Sequence, residues 1–239
     1  MSGISADPSL VFESSIEPRQ TIYGRPASVS YATPARTHSR SVWGIGPVTP
    51  GPLEFEYSRS DSVRDLRAWI RDCIGSISLA FDGYGGDHTR GPGLYIAIVA
   101  TRTVADFAEP MGANRWPTDV CPTVRVPSDS FHEAAATVAD SRDGGVCIGV
   151  DGTVLEQMVR FGNVRNEDVP EGVDVNELEY ADWMGARHMS AYETSARPDV
   201  VATITLSEET GRVTTFRDGS YETVTRDRIG DPWRGEEAG

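Results

Sequence analysis

The spacing of apolar residues predicts three helices. Between residues 62 and 74, apolar side chains recur every three or four positions and charged side chains fill the positions between them. This period is typical of an amphipathic helix packed on a sheet. The alanine-rich segment 128–142 predicts a second helix with serines suited to capping, and a third begins after Gly185 and ends before Pro198. The apolar face of the first helix consists of Val63, Leu66, Ile70 and Cys73.

Continuous apolar runs predict the strands, and tight turns join the later ones. Runs bounded by glycine or polar residues are typical of buried strands, and Asp-Gly is a frequent two-residue hairpin turn. The predicted strands are 77–81, 94–100, 146–150, 153–161, 200–206, 212–216 and the hairpin arms 214–217 and 220–224. A further, short helix is predicted over residues 103–109. The pattern therefore predicts a single α/β (α+β) domain, whose mixed, partly antiparallel central sheet is flanked by helices.

Composition divides the chain into three parts. Residues 1–60 are rich in proline, serine, glycine and arginine without periodicity, which predicts a partly disordered N-terminal extension with short edge strands, at most, at 41–45 and 53–55. Residues 61–225 form the predicted domain. Residues 226–239 are charged and are expected to be a flexible tail.

The charge balance argues against a polyanionic partner. The chain carries 36 acidic and 22 basic residues, a net charge of −14, and every basic residue is arginine. A nucleic acid or an anionic membrane surface requires clustered positive charge, so neither is an expected partner. Acidity without lysine suits a salt-rich cytoplasm, and a GC-rich genome that favours arginine codons is a second explanation.

The cysteines and the hydropathy indicate a reducing compartment. Three isolated cysteines, Cys73, Cys121 and Cys147, give neither a disulfide framework nor the spacing of a zinc site, and are expected to be small packing residues. No apolar run approaches the roughly 20 residues of a membrane helix, and the polar N-terminus lacks a secretory core. We therefore expect a soluble, cytoplasmic protein.

Three short motifs carry candidate chemistry. The first places Asp143 before two glycines that allow a ligand close to the backbone. In the second, Arg187 offers a fork of donors to phosphate and His188 can bind phosphate or a metal. The third places Ser207 and Glu208 at the end of a buried strand. Each motif also has a purely structural interpretation, as a turn, a cap or a hairpin loop.

The glycine-rich loop at 82–93 invites a phosphate-binding or metal-binding interpretation. It holds five glycines beside Asp82, Asp87 and His88. A Walker loop is excluded because it requires a lysine and the chain has none. Adjacent side chains such as those of Asp87 and His88 usually point apart, which weakens a metal site. Whether the loop is functional therefore stays open from the residues alone.

The three motifs together resemble those of diadenylate cyclase domains. The segment Asp143-Gly144-Gly145 resembles the Asp-Gly-Ala motif of that family. Residues 185–191, Gly-Ala-Arg-His-Met-Ser-Ala, resemble its Gly-Thr-Arg-His-Arg-x-Ala motif, and residues 206–211 are similar to its strand-end Val-Ser-Glu-Glu-Thr-Gly. The order and the strand–turn–strand context also match, and with the lysine-free composition they indicate a salt-adapted, archaeal branch.

The resemblance implies condensation of two ATP molecules into cyclic di-AMP with release of two pyrophosphates. In that family two subunits of a homo-oligomer face each other, each with one ATP, and a divalent metal, Mn²⁺ or Mg²⁺, is required. Positioning and charge neutralisation perform most of such nucleotidyl transfer.

The resemblance also assigns roles to residues of this chain. It makes Asp143, Arg187 and His188 catalytic, with Asp143 acting on the 3′-hydroxyl, and it places the metal near Asp143 and Glu208. Adenine is expected between apolar residues of the hairpin, near Met158 or Phe161. The ATP-binding residues that it implies are Gly144, Gly145, Gly185, Ala186, Arg187, His188, Met189, Ser207 and Glu208.

Three departures from the family motifs leave a second function open. Gly145 replaces alanine, Ala186 replaces threonine and Met189 replaces an arginine that could face phosphate. Another arginine could substitute, and the candidates are Arg160, Arg165 and Arg197. Without one, the chain would be a catalytically silent nucleotide-binding sensor of the same fold. A metal-dependent phosphohydrolase ranks lowest, since the clustered carboxylates of a two-metal site are missing.

Overall fold

The computed structural model describes residues 60–85, 90–112, 115–117, 128–141 and 143–231. All of them belong to one compact unit. The edge strands predicted before residue 60 lie outside the described residues. None of the helices in these ranges combines the length and the apolar character that crossing a bilayer requires.

The centre of the molecule is a seven-stranded mixed sheet in the order β2-β4-β3-β1-β5-β6-β7. Strands β1 and β3 are parallel, and all other neighbours are antiparallel. The predicted α/β (α+β) architecture with a partly antiparallel sheet is therefore confirmed. The strands are β1 (Leu94–Val99), β2 (Ala108–Pro110), β3 (Gly145–Gly149), β4 (Val154–Phe161), β5 (Val200–Leu206), β6 (Val213–Arg217) and β7 (Ser220–Val224).

Three helices cover the two faces of this sheet. They are α1 (Asp61–Ala80), α2 (Asp129–Ser141) and α3 (Ala186–Thr194). Side chains alternate along β1, so Ile96 and Ile98 pack in the cluster beneath α1 and α2, whereas Tyr95 and Ala97 pack in the cluster beneath α3. Both faces of the central strands are consequently buried, which explains their continuous apolar runs.

Two predicted elements are wrong. Residues 77–81 do not form a strand, because Ile77 continues the buried stripe of α1 and Phe81 is its C-cap. A short apolar run fits either element, and the helical spacing from Ile70 onward decides for the helix. Residues 103–109 do not form a helix, because the chain turns and enters β2, where Ala108 pairs with Phe161.

The described cysteines are packing residues, as predicted. Cys73 on α1 and Cys147 on β3 are free and buried. Burial raises the pKa of each thiol to about 12, so neither is a thiolate at neutral pH. Cys121 lies outside the described residues.

The sheet topology brings the start of β1, the start of β3 and the end of β5 to the same edge of the sheet, the one formed by the ends of these strands. Because β1 and β3 are parallel, both strands begin at this edge. Strand β5 is antiparallel to β1 with Leu206 opposite Leu94, so β5 ends where β1 begins. Residues that precede β3 and residues that follow β5 therefore lie near each other.

Candidate functional site

A cavity of about 430 Å³ opens at this edge of the sheet. Its walls come from the segment before β3, the first turn of α3 and the turn after β5. Three motifs that are far apart in sequence therefore border one space. The residues predicted from the sequence that line it are Asp143, Gly144, Gly145, Gly185, Ala186, Arg187, His188, Ser207 and Glu208.

The Arg187 guanidinium connects the first motif to the third. Its Nη2 lies 3.6 Å from Oδ1 of Asp143, and its Nη1 lies 3.6 Å from Oε2 of Glu208. These distances define ion pairs rather than hydrogen bonds. The side chain is 23% exposed. The planar guanidinium of Arg187, with donors on both edges, is thus held at the cavity and is exposed enough to rotate toward phosphate oxygens.

The first turn of α3 presents backbone amides to the same cavity. Gly185 is the N-cap, and it has no side chain with which to cap the helix. The first N–H groups of a helix lack intrahelical acceptors, and the helix dipole adds partial positive charge there. With Arg187 in that turn, the helix end combines two features that favour an anion.

His188 is buried and its Nε2 has no hydrogen-bond partner among the described residues. The residue is 6% exposed, and its ring meets Trp183 edge-on at a centroid distance of 5.2 Å. Burial, reinforced by the charges of Arg187 and Arg212, lowers the pKa of His188 to about 4. At neutral pH it is therefore an uncharged imidazole, and the residue lines the cavity.

This histidine should make stability depend on pH in a defined window. Its pKa is about 4 in the folded protein and about 6.5 when unfolded. The unfolded chain binds more protons between these values, so stability is full above pH 6.5 and falls as the pH drops toward 4, by roughly 3 kcal/mol at most. Urea unfolding at pH 7 and pH 4.5 should show a smaller loss in His188→Gln than in the unchanged protein. Equal losses would contradict the assignment.

Gly144 adopts a conformation that requires glycine. Its φ is +111°, and an added Cβ would lie 2.8 Å from Sδ of Met111 and 3.2 Å from backbone atoms of Met158. Met158 itself has a φ of +55° where the pairing of β3 with β4 is irregular. The close approach of these two backbones shapes the floor of the cavity.

Gly145 is the glycine that stands where the family motif has alanine. An added Cβ would lie 2.3 Å from the ring of Phe161, which no Cβ tolerates. The large ring on β4 therefore occupies the space that a methyl group at position 145 would need. The departure from the motif is explained by this local exchange of volume.

We expect Gly145→Ala to destabilise the fold by about 1–3 kcal/mol, the usual cost of overpacking. Gly145→Ala combined with Phe161→Leu should recover much of that loss, because the smaller side chain vacates the space. Gly162→Ala is the matched control, since a Cβ there meets its nearest atom at an ordinary 3.7 Å. Urea unfolding measures all three, and additive losses in the double variant would contradict the exchange.

The turn after β5 fixes Glu208 at the cavity. Ser207 Oγ accepts weak hydrogen bonds from the amides of Glu209 and Thr210 at 3.4 and 3.3 Å. Gly211, at a φ of +68°, donates its amide to the Ser207 carbonyl at 2.9 Å. This closed turn keeps the Glu208 carboxylate beside Arg187.

The described end of the glycine-rich loop supports that turn. Arg90 lies 3.4 Å from the Glu208 carboxylate, and the Gly91 amide donates to the Glu208 carbonyl at 2.7 Å. A Cβ on Gly93 would lie 2.4 Å from Nη1 of Arg187, so a side chain at this position would displace the guanidinium. Asp87 and His88 lie outside the described residues.

Several predicted residues do not line the cavity. Met189 is 36% exposed and belongs to no described wall of it, and Met158 is buried beneath it. Of the three substitute arginines, Arg160 does line the cavity, although it donates to Glu109 at 2.9 Å. Arg165 and Arg197 instead form ion pairs with Asp168.

An apolar wall was not predicted apart from Phe161. Tyr95 lies against Phe161 with ring centroids 4.6 Å apart, and Met111, Val159 and Trp183 complete this side. Side chains alternate along β1, and this alternation places Tyr95 on the sheet face that α3 covers. The sequence therefore contained a signal for the position of Tyr95. The positions of Met111 and Trp183 follow from irregular segments, for which the sequence offers no periodicity.

The donor set at the cavity fits a hard divalent cation only in part. In the portion of the chain that the structure describes, no three histidine, cysteine or acidic side chains converge. Asp143 and Glu208 instead lie on either side of Arg187, and Glu209 also borders the cavity. One or two carboxylates completed by substrate phosphates are a usual Mg²⁺ environment, so these residues fit a metal that arrives with its ligand.

Comparisons with known proteins give weak structural likeness. No protein-family model and no curated protein matches the chain. A hypothetical membrane-spanning protein from Bacillus cereus is similar over 66% of this chain and 63% of its own, less than two thirds of its length, at 16% identity and a TM-score of 0.43. A double cysteine mutant of DacA from Staphylococcus aureus, a diadenylate cyclase, is similar over 75% of this chain and 100% of its own, at 16% identity and a TM-score of 0.36.

Proposed function

We propose that the protein is a diadenylate cyclase, which condenses two ATP molecules into cyclic di-AMP and two pyrophosphates. One observation carries the proposal: the three motifs that resemble those of the family border a single cavity. The pairing of Arg187 with both Asp143 and Glu208 makes the motifs one electrostatic unit. Three segments that resembled the family motifs only by chance would not be expected to meet at one cavity.

The two sides of the cavity suit the two ends of ATP. The amides at the start of α3, Arg187 and Ser207 supply donors for the triphosphate. The wall formed by Tyr95 and Phe161 supplies an apolar surface for adenine. The volume of about 430 Å³ lies in the usual range for small-molecule sites, about 300–1,000 Å³, and suits one nucleotide rather than two.

Local charge argues for a divalent cation with the substrate. Three carboxylates border the cavity, from Asp143, Glu208 and Glu209, and so do the cations Arg160 and Arg187, while Arg90 pairs with Glu208 from outside the lining and His188 is neutral. These cations do not outnumber the carboxylates, so a triphosphate would bring negative charge that the protein alone does not neutralise. Bound Mn²⁺ or Mg²⁺, held by Asp143 and Glu208, would neutralise phosphate charge and draw electron density from the α-phosphate.

In the proposed reaction, the 3′-hydroxyl of one ATP attacks the α-phosphorus of the ATP held by a facing subunit. The new O–P bond forms as the bond from the α-phosphorus to the bridging oxygen breaks, and pyrophosphate leaves with that electron pair. Asp143, largely exposed at the cavity mouth, takes the hydroxyl proton. Arg187 and the uncharged His188 hold the phosphates in line. A second attack in the opposite sense closes the ring.

A nucleotide-binding sensor of the same fold is the second candidate. The observation that favours it is Met189, which is exposed beside the cavity where the family motif has arginine. Arg160 at the opposite wall is the described cation that could replace it. A phosphohydrolase has less support, because the described residues offer no cluster of carboxylates for a two-metal site.

One assay distinguishes these functions. The full chain is incubated with ATP and Mn²⁺ at high KCl concentration, and the products are identified by mass spectrometry. Cyclic di-AMP supports the cyclase, ATP binding without turnover supports the sensor, and AMP or ADP as the main product supports a hydrolase. A parallel reaction with EDTA in place of Mn²⁺ should yield no cyclic di-AMP, and full turnover there would contradict the role of the metal.

A further inference from the structure

A second cavity, of about 220 Å³, lies between α1 and the β6–β7 hairpin. It shares no lining residue with the cavity at the three motifs. Four of its lining side chains are arginines, in a chain whose net charge is −14. They are Arg64, Arg67, Arg71 and Arg217.

Helical spacing and sheet alternation bring these arginines together. Arg64, Arg67 and Arg71 are three and four residues apart, so they share one face of α1. Helix α1 packs against β6, whose last residue is Arg217. On β6, Val213 packs in the cluster beneath α1, and Arg217 is four residues later on the same face. Two separate elements thus direct cations into one space.

The charge of this cluster is only partly compensated. Arg64, Arg71 and Arg217 pair with Asp61, Asp72 and Asp218, each a near neighbour in sequence and exposed at the rim. Arg67 is half-buried, and in the described part of the chain it has no ion pair. Glu222 is the single acidic residue of the lining.

The surroundings of Arg67 disfavour its charge. Burial, followed by the charge of Arg217, lowers the pKa of Arg67, with smaller contributions from Arg71 and Arg64, while Glu222 acts in the opposite sense. An anion in the cavity would relieve this repulsion and accept bidentate hydrogen bonds from several guanidinium groups. Three arginines on α1 with a fourth on β6 offer several separate sets of donors, which suits a chain of phosphates better than a single one.

We propose that this second cavity binds a di- or triphosphate group. The proposal does not depend on the reaction at the first cavity. Free pyrophosphate and the phosphate chain of a nucleotide share the required chemistry, and the ligand sits between α1 and the β6–β7 hairpin with Arg67 at its centre. Glu222 forms no ion pair with Arg67, but its charge lies in the same lining and would compete with the bound anion.

Calorimetric titration of the full chain with pyrophosphate tests the site. The titrations use the Arg187→Gln background, so that binding at the first cavity is weakened. We expect saturable binding of pyrophosphate to the Arg187→Gln variant, and at least a tenfold loss of affinity when Arg67→Gln is added to it. Arg228→Gln, an exposed arginine paired with Asp231, is the matched control and should leave the affinity unchanged.

A variant that binds pyrophosphate more tightly would exclude misfolding as the cause of weaker binding in the other variants. Glu222→Gln removes the competing acid and should tighten pyrophosphate binding several-fold, which a damaged protein would not do. Absence of saturable binding in the Arg187→Gln background, or an affinity within twofold after Arg67→Gln, would overturn the proposal. ADP in place of pyrophosphate distinguishes the sources: tighter binding of ADP indicates a nucleotide, and tighter binding of pyrophosphate indicates the free anion.

Discussion

Asp143→Asn is expected to abolish formation of cyclic di-AMP while ATP still binds. Asparagine preserves the shape of the side chain but cannot accept the proton of the attacking 3′-hydroxyl. The loss of a general base typically lowers the rate by about 10²–10⁴-fold, and weaker metal binding adds to this. Binding should change little, because Arg187 and the start of α3 hold the phosphates. Single-turnover product formation and ATP titration measure the two quantities separately.

Asp140→Asn supplies the matched control for that experiment. Asp140 is exposed near the end of α2, three residues before Asp143, and its replacement removes the same charge from a neighbouring position. The control should retain turnover within about twofold, as exposed substitutions of this kind usually do. Turnover by Asp143→Asn at the level of this control would remove Asp143 from its assigned role and leave the sensor as the better description.

Periodicity in the sequence was sufficient for most of the fold. The apolar runs that became β1 and β5 are buried on both faces, and Asp218-Gly219 is a two-residue turn between paired strands. Asp151-Gly152, predicted as a turn of the same kind, instead belong to a three-residue connection between Gly149 and Thr153. Apolar residues near the end of α1 were misassigned, because four or five residues cannot distinguish a helical stripe from a short strand. The longer spacing pattern from Val63 to Ile77 resolves them only when it is considered as a whole.

The site was predicted less completely than the fold, for a physical reason. Asp143, Arg187 and Glu208 each lie in a short motif of glycines and charged residues that can be recognised in the sequence. Cavity walls are instead made of side chains whose positions depend on packing, such as Met111 in the space beside Gly144. A residue in an irregular segment, such as Trp183, acquires its place from tertiary contacts alone.

The polar groups of the cavity would interact with an anionic substrate in different ways, some by hydrogen bonding and some by charge. His188 contributes an uncharged hydrogen-bonding nitrogen, because burial and two arginines oppose its protonation. In the proposed complex, positive charge would come from Arg187 and Arg160, and the partners of Arg187 are the two carboxylates proposed to hold the metal. If the metal takes those carboxylates, the guanidinium is released toward the phosphates.

Arg187→Gln should consequently weaken ATP binding more than any other substitution at the cavity. It removes the cation between Asp143 and Glu208 and leaves those carboxylates repelling both each other and the triphosphate. Truncating one partner of a buried, hydrogen-bonded charge pair in a complex costs about 2–5 kcal/mol of binding free energy, and the partial exposure of Arg187 keeps the expected loss to roughly 2–3 kcal/mol, or about 30- to 150-fold in affinity. Titration with ATP in the presence of Mn²⁺ measures the change.

Arg187→Lys separates charge from geometry in the same measurement. Lysine restores a positive charge but presents one ammonium group, which cannot contact both carboxylates or donate a planar pair of hydrogen bonds to a phosphate. Its ATP affinity should therefore fall between those of Arg187→Gln and the unchanged protein, with turnover reduced further than binding. Full recovery of both by lysine would show that charge alone matters, and equal affinity in Arg187→Gln would mean that the nucleotide does not engage this helix end.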